Sequence, residues 1–475
     1  MSSGHSFHFL KSMSRVKKIA RWLAPVSAMV IFLIADLSGM ERNAAVTLGI
    51  AWLTATWWMT EAVPIPVASL VPIALLPLFG VLPAKTAVAQ SYGHPLVLLL
   101  LGGFLLSKGM EKSGVHRRIA LGMVRACGGG GGKRLMLGFM LASAALSMWI
   151  SNTATTLMIL PIALAVLSGS KDSAKLAAPL MMGVAYAANI GGLGTPIGTP
   201  PNLVFIEQYE EISGKAMSFT EWMSYGVPIV IIMIPLMWLW LSRNLKGEEE
   251  IALPESGAWR AEEKRTLIVF GLTALAWMTR SEPFGGWKTW LGLPGANDAS
   301  VAFIGVMLLF LIPDGSGRSG EKGRLLDWET AQKIPWGMLL LFSGGICLAS
   351  GIKSSGLSAQ AASLLSGVGT LHVLGMIFAI CLLMTFLTEL TSNTASTILM
   401  MPILGAVALS NEIDPKFLML PEALSASCAF MLPVATAPNA VVFGSGYLTV
   451  PKMVREGIVL NLIGVVVVSL YCWLR

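Results

Sequence analysis

Residues 147–161 read SMWISNTATTLMILP, and residues 388–402 read TELTSNTASTILMMP. Both are apolar runs cut by one polar triplet, Ser151-Asn152-Thr153 in the first and Ser392-Asn393-Thr394 in the second. Around the first triplet the apolar stretch covers 135–168. Each arm is therefore shorter than the roughly 20 residues a membrane-spanning helix needs. Lys133 and Arg134 precede the stretch, and Lys171 and Lys175 follow it, so both ends lie on the basic, cytoplasmic side. Two short arms that leave and regain one face make a re-entrant hairpin with its tip near mid-membrane. Such backbone survives in a bilayer only where protein buries it or water lines it.

The composition agrees with a membrane setting. Of 475 residues, 55% are hydrophobic and only 12% charged, with a mean hydropathy of +0.71. A soluble domain carries about 25% charged residues, so this chain cannot cover a water-facing surface, and a soluble enzyme, a disordered chain and a coiled coil are excluded. The apolar runs are continuous rather than alternating, which excludes a β-barrel. The predicted class is an all-α polytopic membrane protein. Five scattered cysteines without a CxxC pair and five dispersed histidines predict neither a disulfide framework nor a zinc site. The net charge of +7 comes from Lys and Arg in short loops, the positive-inside pattern rather than a nucleic-acid surface.

Basic residues (Lys11, Arg15, Lys17, Lys18, Arg21) precede an apolar run from Trp22 to Leu37. It is long for a signal-peptide core and no small-residue cleavage site follows. It reads as a first transmembrane helix with a cytoplasmic N-terminus in the cytoplasmic (inner) membrane, the C-terminus lying outside. The first four spans are predicted at 22–40, 44–60, 63–82 (entered through Pro64 and Pro66) and 95–110. A basic stretch from Lys108 to Arg134 follows, with Gly128 to Gly132 as a flexible linker. Residues 176–210 are apolar but broken at 191–202, GGLGTPIGTPPN, where four glycines and three prolines forbid an intact helix. This broken helix crosses outward, 226–242 crosses back, and a charged loop at 243–265 with Glu248, Glu249 and Glu250 divides the chain.

The second half repeats the first. LLLLGGFLLSKGMEKSG (98–114) aligns without gaps to LLFSGGICLASGIKSSG (340–356), the two triplet segments align, and TPPN (199–202) matches TAPN (436–439). Counting crossings gives the copies opposite orientations, and the loop after the second copy holds only Lys353 where the first is rich in Lys and Arg. Inverted copies with paired broken helices point to a secondary transporter.

Ser, Asn and Thr are good N-caps. If the second arm of each hairpin starts at its triplet, its free N–H groups and positive dipole end face the gap between the copies and attract an anion such as a carboxylate. Neither tip nor either Pro-Asn loop contains Lys or Arg, and a buried dianion without counter-charge is prohibitively costly. A co-bound Na+, held by Ser, Thr and Asn oxygens and freed carbonyls, balances the inventory. One Ser-Asn-Thr in a membrane helix is ordinarily a helix–helix hydrogen-bonding group; its recurrence at matched places points to a site. Glu389 is the one acid beside a tip, where the first copy has Met148, so it reads equally as a supporting hydrogen-bond acceptor.

With these paired motifs the chain resembles the divalent anion–sodium symporter (DASS) family, whose members carry di- and tricarboxylates or sulfate. The resemblance covers essentially the whole chain. It implies a homodimer of protomers with about eleven spans, each moving a transport domain against a scaffold as an elevator. Scaffold would comprise 1–130 and 244–370. The transport domain would comprise 131–243 (hairpin 135–168, broken helix 176–210, span 226–242) and 371–475 (hairpin 371–410, broken helix 416–448, span 457–474). The resemblance places one Na+ with Ser147, Ser151, Asn152 and the Gly198 carbonyl, and another with Thr388, Asn393 and the carbonyls of Thr391 and Ala435. Substrate carboxylates would meet Ser151, Asn152, Thr153 and Thr199 on one side, and Ser392, Asn393, Thr394 and Thr436 on the other. Thr436-Ala437-Pro438 departs from relatives that carry Pro at the middle position.

The expected activity is Na+-coupled symport of a C4-dicarboxylate such as succinate, malate or fumarate; the alternatives are dicarboxylate exchange, or sulfate or tricarboxylate transport, on the same fold. An intramembrane enzyme would need an acid–base or metal cluster, and the spans contain no HExxH, paired Asp or Ser–His pairing at helical spacing. A passive anion channel would not need inverted broken helices.

Overall fold

A computed structural model describes residues 3–127, 131–168, 173–245, 257–315, 323–357, 360 and 372–475, with side chains from Lys17 onward except Ser173 and Ala174. The linker residues Gly128–Gly130, Lys171, Glu248–Glu250 and position 371, where the second hairpin was expected to open, lie outside the described residues, as do the side chains of Lys11 and Arg15. Among the described residues the regular structure is helical, with one isolated bridge between Pro313 and Arg324.

The N-terminal helices are α1 (Ser3–Leu37), α2 (Arg42–Thr60), α3 (Ile65–Ala68), α4 (Leu70–Leu78), α5 (Ala84–Ser91), α6 (Pro95–Ser113) and α7 (Val115–Ala126). The first hairpin is α8 (Gly132–Ser147) and α9 (Asn152–Ser168); α10 (Ser173–Gly191) and α11 (Pro200–Ser213) are the halves of the first broken helix, and α12 (Phe219–Ser242) follows. The middle of the chain forms α13 (Ala261–Met278), α14 (Gly286–Trp290), α15 (Asp298–Leu311), α16 (Trp328–Ala331) and α17 (Trp336–Ser354). The second hairpin is α18 (Val373–Leu387) and α19 (Asn393–Ser410), the second broken helix α20 (Lys416–Ser425) and α21 (Ala437–Phe443), and the last helix α22 (Val450–Leu474).

Among the described residues six helices are long and apolar enough to cross a membrane, or seven when α5 and α6, bent by 42°, are taken together. Large apolar side chains stay exposed on α1 (Trp22, Val26, Ile34), α12 (Ile231, Leu239) and α22 (Val466, Leu470), a pattern that suits lipid rather than water. The expected span at 63–82 differs: it is two short helices, α3 and α4, joined at Ser69. Pro64, Pro66, Pro72 and Pro77 each remove a backbone donor from the segment, which explains why no single rod forms.

The interior is built around α10. Leu180, Met181, Val184, Tyr186 and Ile190 are fully buried, and the helix packs against α8, α9, α12 and α21. The repeated Gly-Gly pairs are used alike. Gly102 lies against Ala302 and Gly344 against Ser69, while Gly103 faces Ile197 in the first break and Gly345 faces Ile398 on α19. In each copy one glycine lets a neighbouring segment approach closely, while the next faces the first break in one copy and the second hairpin in the other, the use of small residues expected at membrane helix crossings.

Candidate functional site

The first tip is the turn between α8 and α9. Ser151 stands before α9, and its hydroxyl accepts from the Ala154 N–H at 3.3 Å, an N-cap that occupies one of the free donors at the helix start. Asn152, the first residue of α9, turns its side chain back into the protein. With the amide oriented to satisfy its neighbours, the nitrogen donates to the Ser147 hydroxyl at 2.6 Å, the Gly198 carbonyl at 3.2 Å and the Ala188 carbonyl at 3.3 Å. Ser147, Asn152 and Gly198 thus meet, joined by a carbonyl that sequence reading did not name. Gly192 leaves room for Asn152 and Thr199: a Cβ there would strike the Asn152 amide and crowd Thr199. Ser151, Asn152 and Thr153 are half-buried, and Thr199 and Gly198 are buried.

The first break is held in shape by Asn202. Its Nδ2 donates to the Gly192 carbonyl at 2.9 Å and the Thr195 carbonyl at 2.7 Å, which lie 10 and 7 residues earlier. In the second break Asn439 Nδ2 donates to Ala429 and Leu432, each at 3.0 Å and again 10 and 7 residues earlier. Both lie outside the expected site residues, and the recurring Pro-Asn pair is their signal in the sequence. The helix after each break, α12 or α22, closes on it through glycine: a Cβ at Gly226 would strike the Leu193 carbonyl, and one at Gly457 the Phe430 carbonyl.

The second tip follows the same plan with different fastening. Ser392 caps α19 by accepting from Ala395 N–H at 3.4 Å, and Asn393 Oδ1 accepts from Thr394 N–H at 2.7 Å. The Thr391 hydroxyl donates to Leu387 O at 2.8 Å and lies 2.7 Å from the Ser396 hydroxyl; that of buried Thr388 donates to Thr385 O at 3.1 Å. The Ala435 N–H donates to Leu432 O at 3.2 Å, and Thr436 caps α21 by accepting from Asn439 N–H at 3.3 Å. Thr388, Asn393 and Ala435 therefore bond within their own segments, unlike the joined trio at the first tip. The first tip is tied to its break by the Thr195 hydroxyl donating to Met148 O. At the second tip the carboxylate of Glu389 does this work, accepting from Met431 N–H at 2.8 Å and Leu432 N–H at 2.9 Å.

The two halves interlock. First-hairpin arm α9 packs on α21, and second-hairpin arm α19 packs on α11. Asn189 Nδ2 donates to the Thr436 hydroxyl at 3.0 Å and to Asn439 Oδ1 at 3.3 Å, and the Tyr186 hydroxyl donates to Phe430 O at 2.6 Å. Helix α10 of the first half thus braces the second break.

A profile of the sodium:sulfate symporter transmembrane region family matches residues 16–474. The chain belongs to this family. It is the divalent anion–sodium symporter family that the paired motifs resemble. Within it, the chain is 38% identical over 473 residues to the sodium-dependent dicarboxylate transporter SdcS of Staphylococcus saprophyticus, covering 94% of this chain and 89% of that protein. The SdcS of Staphylococcus aureus is 36% identical over 482 residues, covering 97% and 91%. Two solved structures share the fold. The Alcanivorax borkumensis YdaH transporter superimposes with a TM-score of 0.59 at 17% identity, covering 83% of this chain and 87% of that one. Neisseria gonorrhoeae MtrF gives 0.58 at 12% identity, covering 84% and 83%. The sodium:sulfate symporter family places the chain among multi-pass membrane transporters.

Proposed function

We propose that this family member imports a C4-dicarboxylate (succinate, malate or fumarate) by Na+-coupled symport across the cytoplasmic membrane. The observation that carries the reading is the chemistry of the two tips: hydroxyls, amides, N–H groups and freed carbonyls, with neither Lys nor Arg among them. Relatives at 36–38% identity are named sodium-dependent dicarboxylate transporters. Ser151, Asn152, Thr153 and Thr199 would bind one carboxylate; Ser392, Asn393, Thr394 and Thr436 would bind the other.

The first Na+ would be held by Ser147, Ser151, Asn152 and the Gly198 carbonyl. Turning the Asn152 amide over presents Oδ1 to the Ser147, Gly198 and Ala188 oxygens, which supports the assignment because unwound carbonyls and side-chain oxygens suit Na+. The second would be held by Thr388, Asn393 and the carbonyls of Thr391 and Ala435.

Alternating access would move the two hairpins, the broken helices and the helices that follow them (α12 and α22) as a unit against α1–α7 and α13–α17, within a homodimer embedded in lipid. A cavity of about 470 Å³ between α11, α17 and α19 supports this. So does the Lys353–Glu211 ion pair of 3.1 Å, which joins α17 to α11 with Lys353 exposed: exposed pairs of this kind are weak enough to break during motion.

Radiolabelled succinate uptake into proteoliposomes tests the reading. An inward Na+ gradient is expected to drive accumulation without internal substrate, and external Na+ to raise apparent succinate affinity through reciprocal linkage. Uptake that requires internal succinate and ignores Na+ would make the protein an exchanger, and uptake of sulfate alone would reassign its cargo.

A further inference from the structure

One buried acid takes no part in the site above. Glu422 lies in the last turn of α20, fully buried, and neither carboxyl oxygen has a hydrogen-bond partner among the described residues. The other buried acids differ: Glu389 accepts three N–H donors, Glu456 pairs with Arg243 at 2.8 Å, Glu263 pairs with Arg118 at 3.0 Å, and Glu207 accepts from Gln208 at 2.7 Å.

The surroundings of Glu422 are oxygen-rich and lack a cation. Helices α11, α18, α19 and α22 pack against α20. From α19 the Thr397 hydroxyl faces the carboxyl. From α18 Cys381 is the titratable group facing it, with Ser425 and Ser469 beside that thiol. No Lys, Arg or His among the described residues faces the carboxyl. The hydroxyls of Thr397, Ser425 and Ser469 are likewise buried and unpartnered.

Two effects make a bare carboxylate untenable here. Burial away from water and from any counter-charge penalises the ionised form. The C-terminal end of α20 adds the negative pole of a helix dipole, which favours positive charge. Both penalties are offset when a monovalent cation lies beside the carboxyl. The position is suited to coupling: Thr397 follows Asn393 by one helical turn, and Ser425 is the last residue before the second break.

We propose that the Glu422 carboxyl, with the hydroxyls of Thr397 and Ser425, forms a monovalent-cation site behind the second tip, occupied by Na+ or a proton that travels with the substrate. The proposal rests on the symport reading and adds to it a coupling ion separate from those at the tips.

Full-length wild type and Glu422→Gln, purified and reconstituted, provide the test. Equilibrium binding of radioactive Na+ and proton uptake on substrate addition are counted per protomer, and Na+ and pH gradients are balanced against a succinate gradient. The variant is expected to bind one Na+ fewer and balance at a correspondingly lower Na+ coupling ratio, or to lose the proton and its response to a pH gradient. The same cation counts and the same balance points in variant and wild type would overturn the site. If Glu422→Gln does not fold, Thr397→Val serves instead, with affinity for the same cation expected to fall about tenfold; unchanged affinity would overturn it. Absence of Na+-driven uptake by wild type would refute the symport reading alone, because the binding counts still decide the role of Glu422.

Discussion

Asn461 on α22 donates from Nδ2 to Oε1 of Glu389 at 2.7 Å, while its own Oδ1 accepts from the Phe430 N–H at 3.1 Å. One amide therefore joins the last helix, the second hairpin and the second break. Glu389, ambiguous in the sequence, is a clamp on backbone donors that the broken helix would otherwise leave free.

Removing that amide takes away one of the three N–H donors that the buried Glu389 carboxyl accepts. Asn461→Ala is expected to destabilise the protein by about 1.5–3 kcal/mol, the scale of a hydrogen bond to a charged group, and to depress uptake because the break it braces lines the proposed site. Thermal unfolding in detergent checks the first effect and proteoliposome uptake the second; a variant as stable as wild type would contradict the clamp.

Asn202 and Asn439 make the same pair of bonds in their two breaks, and Asn439 also accepts from Asn189, so losing Asn439 should cost at least as much as losing Asn202. Each Asn→Ala leaves two carbonyls without their donor and is expected to cost about 1–3 kcal/mol. Asn→Asp should be no better, since a carboxylate has no N–H to give. Unfolding measured side by side on the four variants tests this, and an Asp variant matching wild type would show that donation is not what the position supplies.

Asn152→Ala and Asn393→Ala are each expected to abolish succinate uptake while folded protein remains in the membrane. Size-exclusion profiles establish the folding, and near-normal uptake by either variant would remove that tip from the site.

Outside the membrane, Glu263 at the start of α13 gives a pH signature. Burial acts to raise its pKa, but the Arg260 N–H at 2.8 Å, the Arg118 Nε at 3.1 Å and the charges of both arginines outweigh it, so the carboxyl is held below its ordinary value. The unfolded chain then takes up the proton first as pH falls. The stabilisation is complete above the ordinary carboxyl pKa of about 4.3 and disappears as pH drops through the lower folded value. Wild type should lose unfolding temperature more steeply than Arg118→Ala between about pH 5 and pH 3; parallel curves would show that the pair contributes nothing.

The helical class, the hairpin tips and both breaks were legible because each depends on local chemistry: a polar triplet inside an apolar run, or prolines and glycines that no helix accommodates. What escaped was set by distance along the chain. The partners of Glu389 lie 42, 43 and 72 residues away, and Asn189 reaches residues 247 and 250 positions on. No local pattern announces such pairings. The Ala188 carbonyl beside Asn152 was hidden for a related reason, since which main-chain oxygens converge depends on how α10 is rotated against the hairpin. Over 63–82 hydropathy alone suggests one span, but its four prolines divide the segment into two short helices. Glu422 is silent in sequence because its meaning lies in what does not face it.

The crossed packing of α9 on α21 and of α19 on α11 bears on how such a chain can be divided. A gene fragment ending at the central charged loop would encode a polypeptide that leaves the packing faces of α9 and α11 bare. Supplied with the complementary fragment in the same cell, it has a ready-made mate, so cutting the gene there should yield two products that are each inert and unstable alone yet restore function when expressed together.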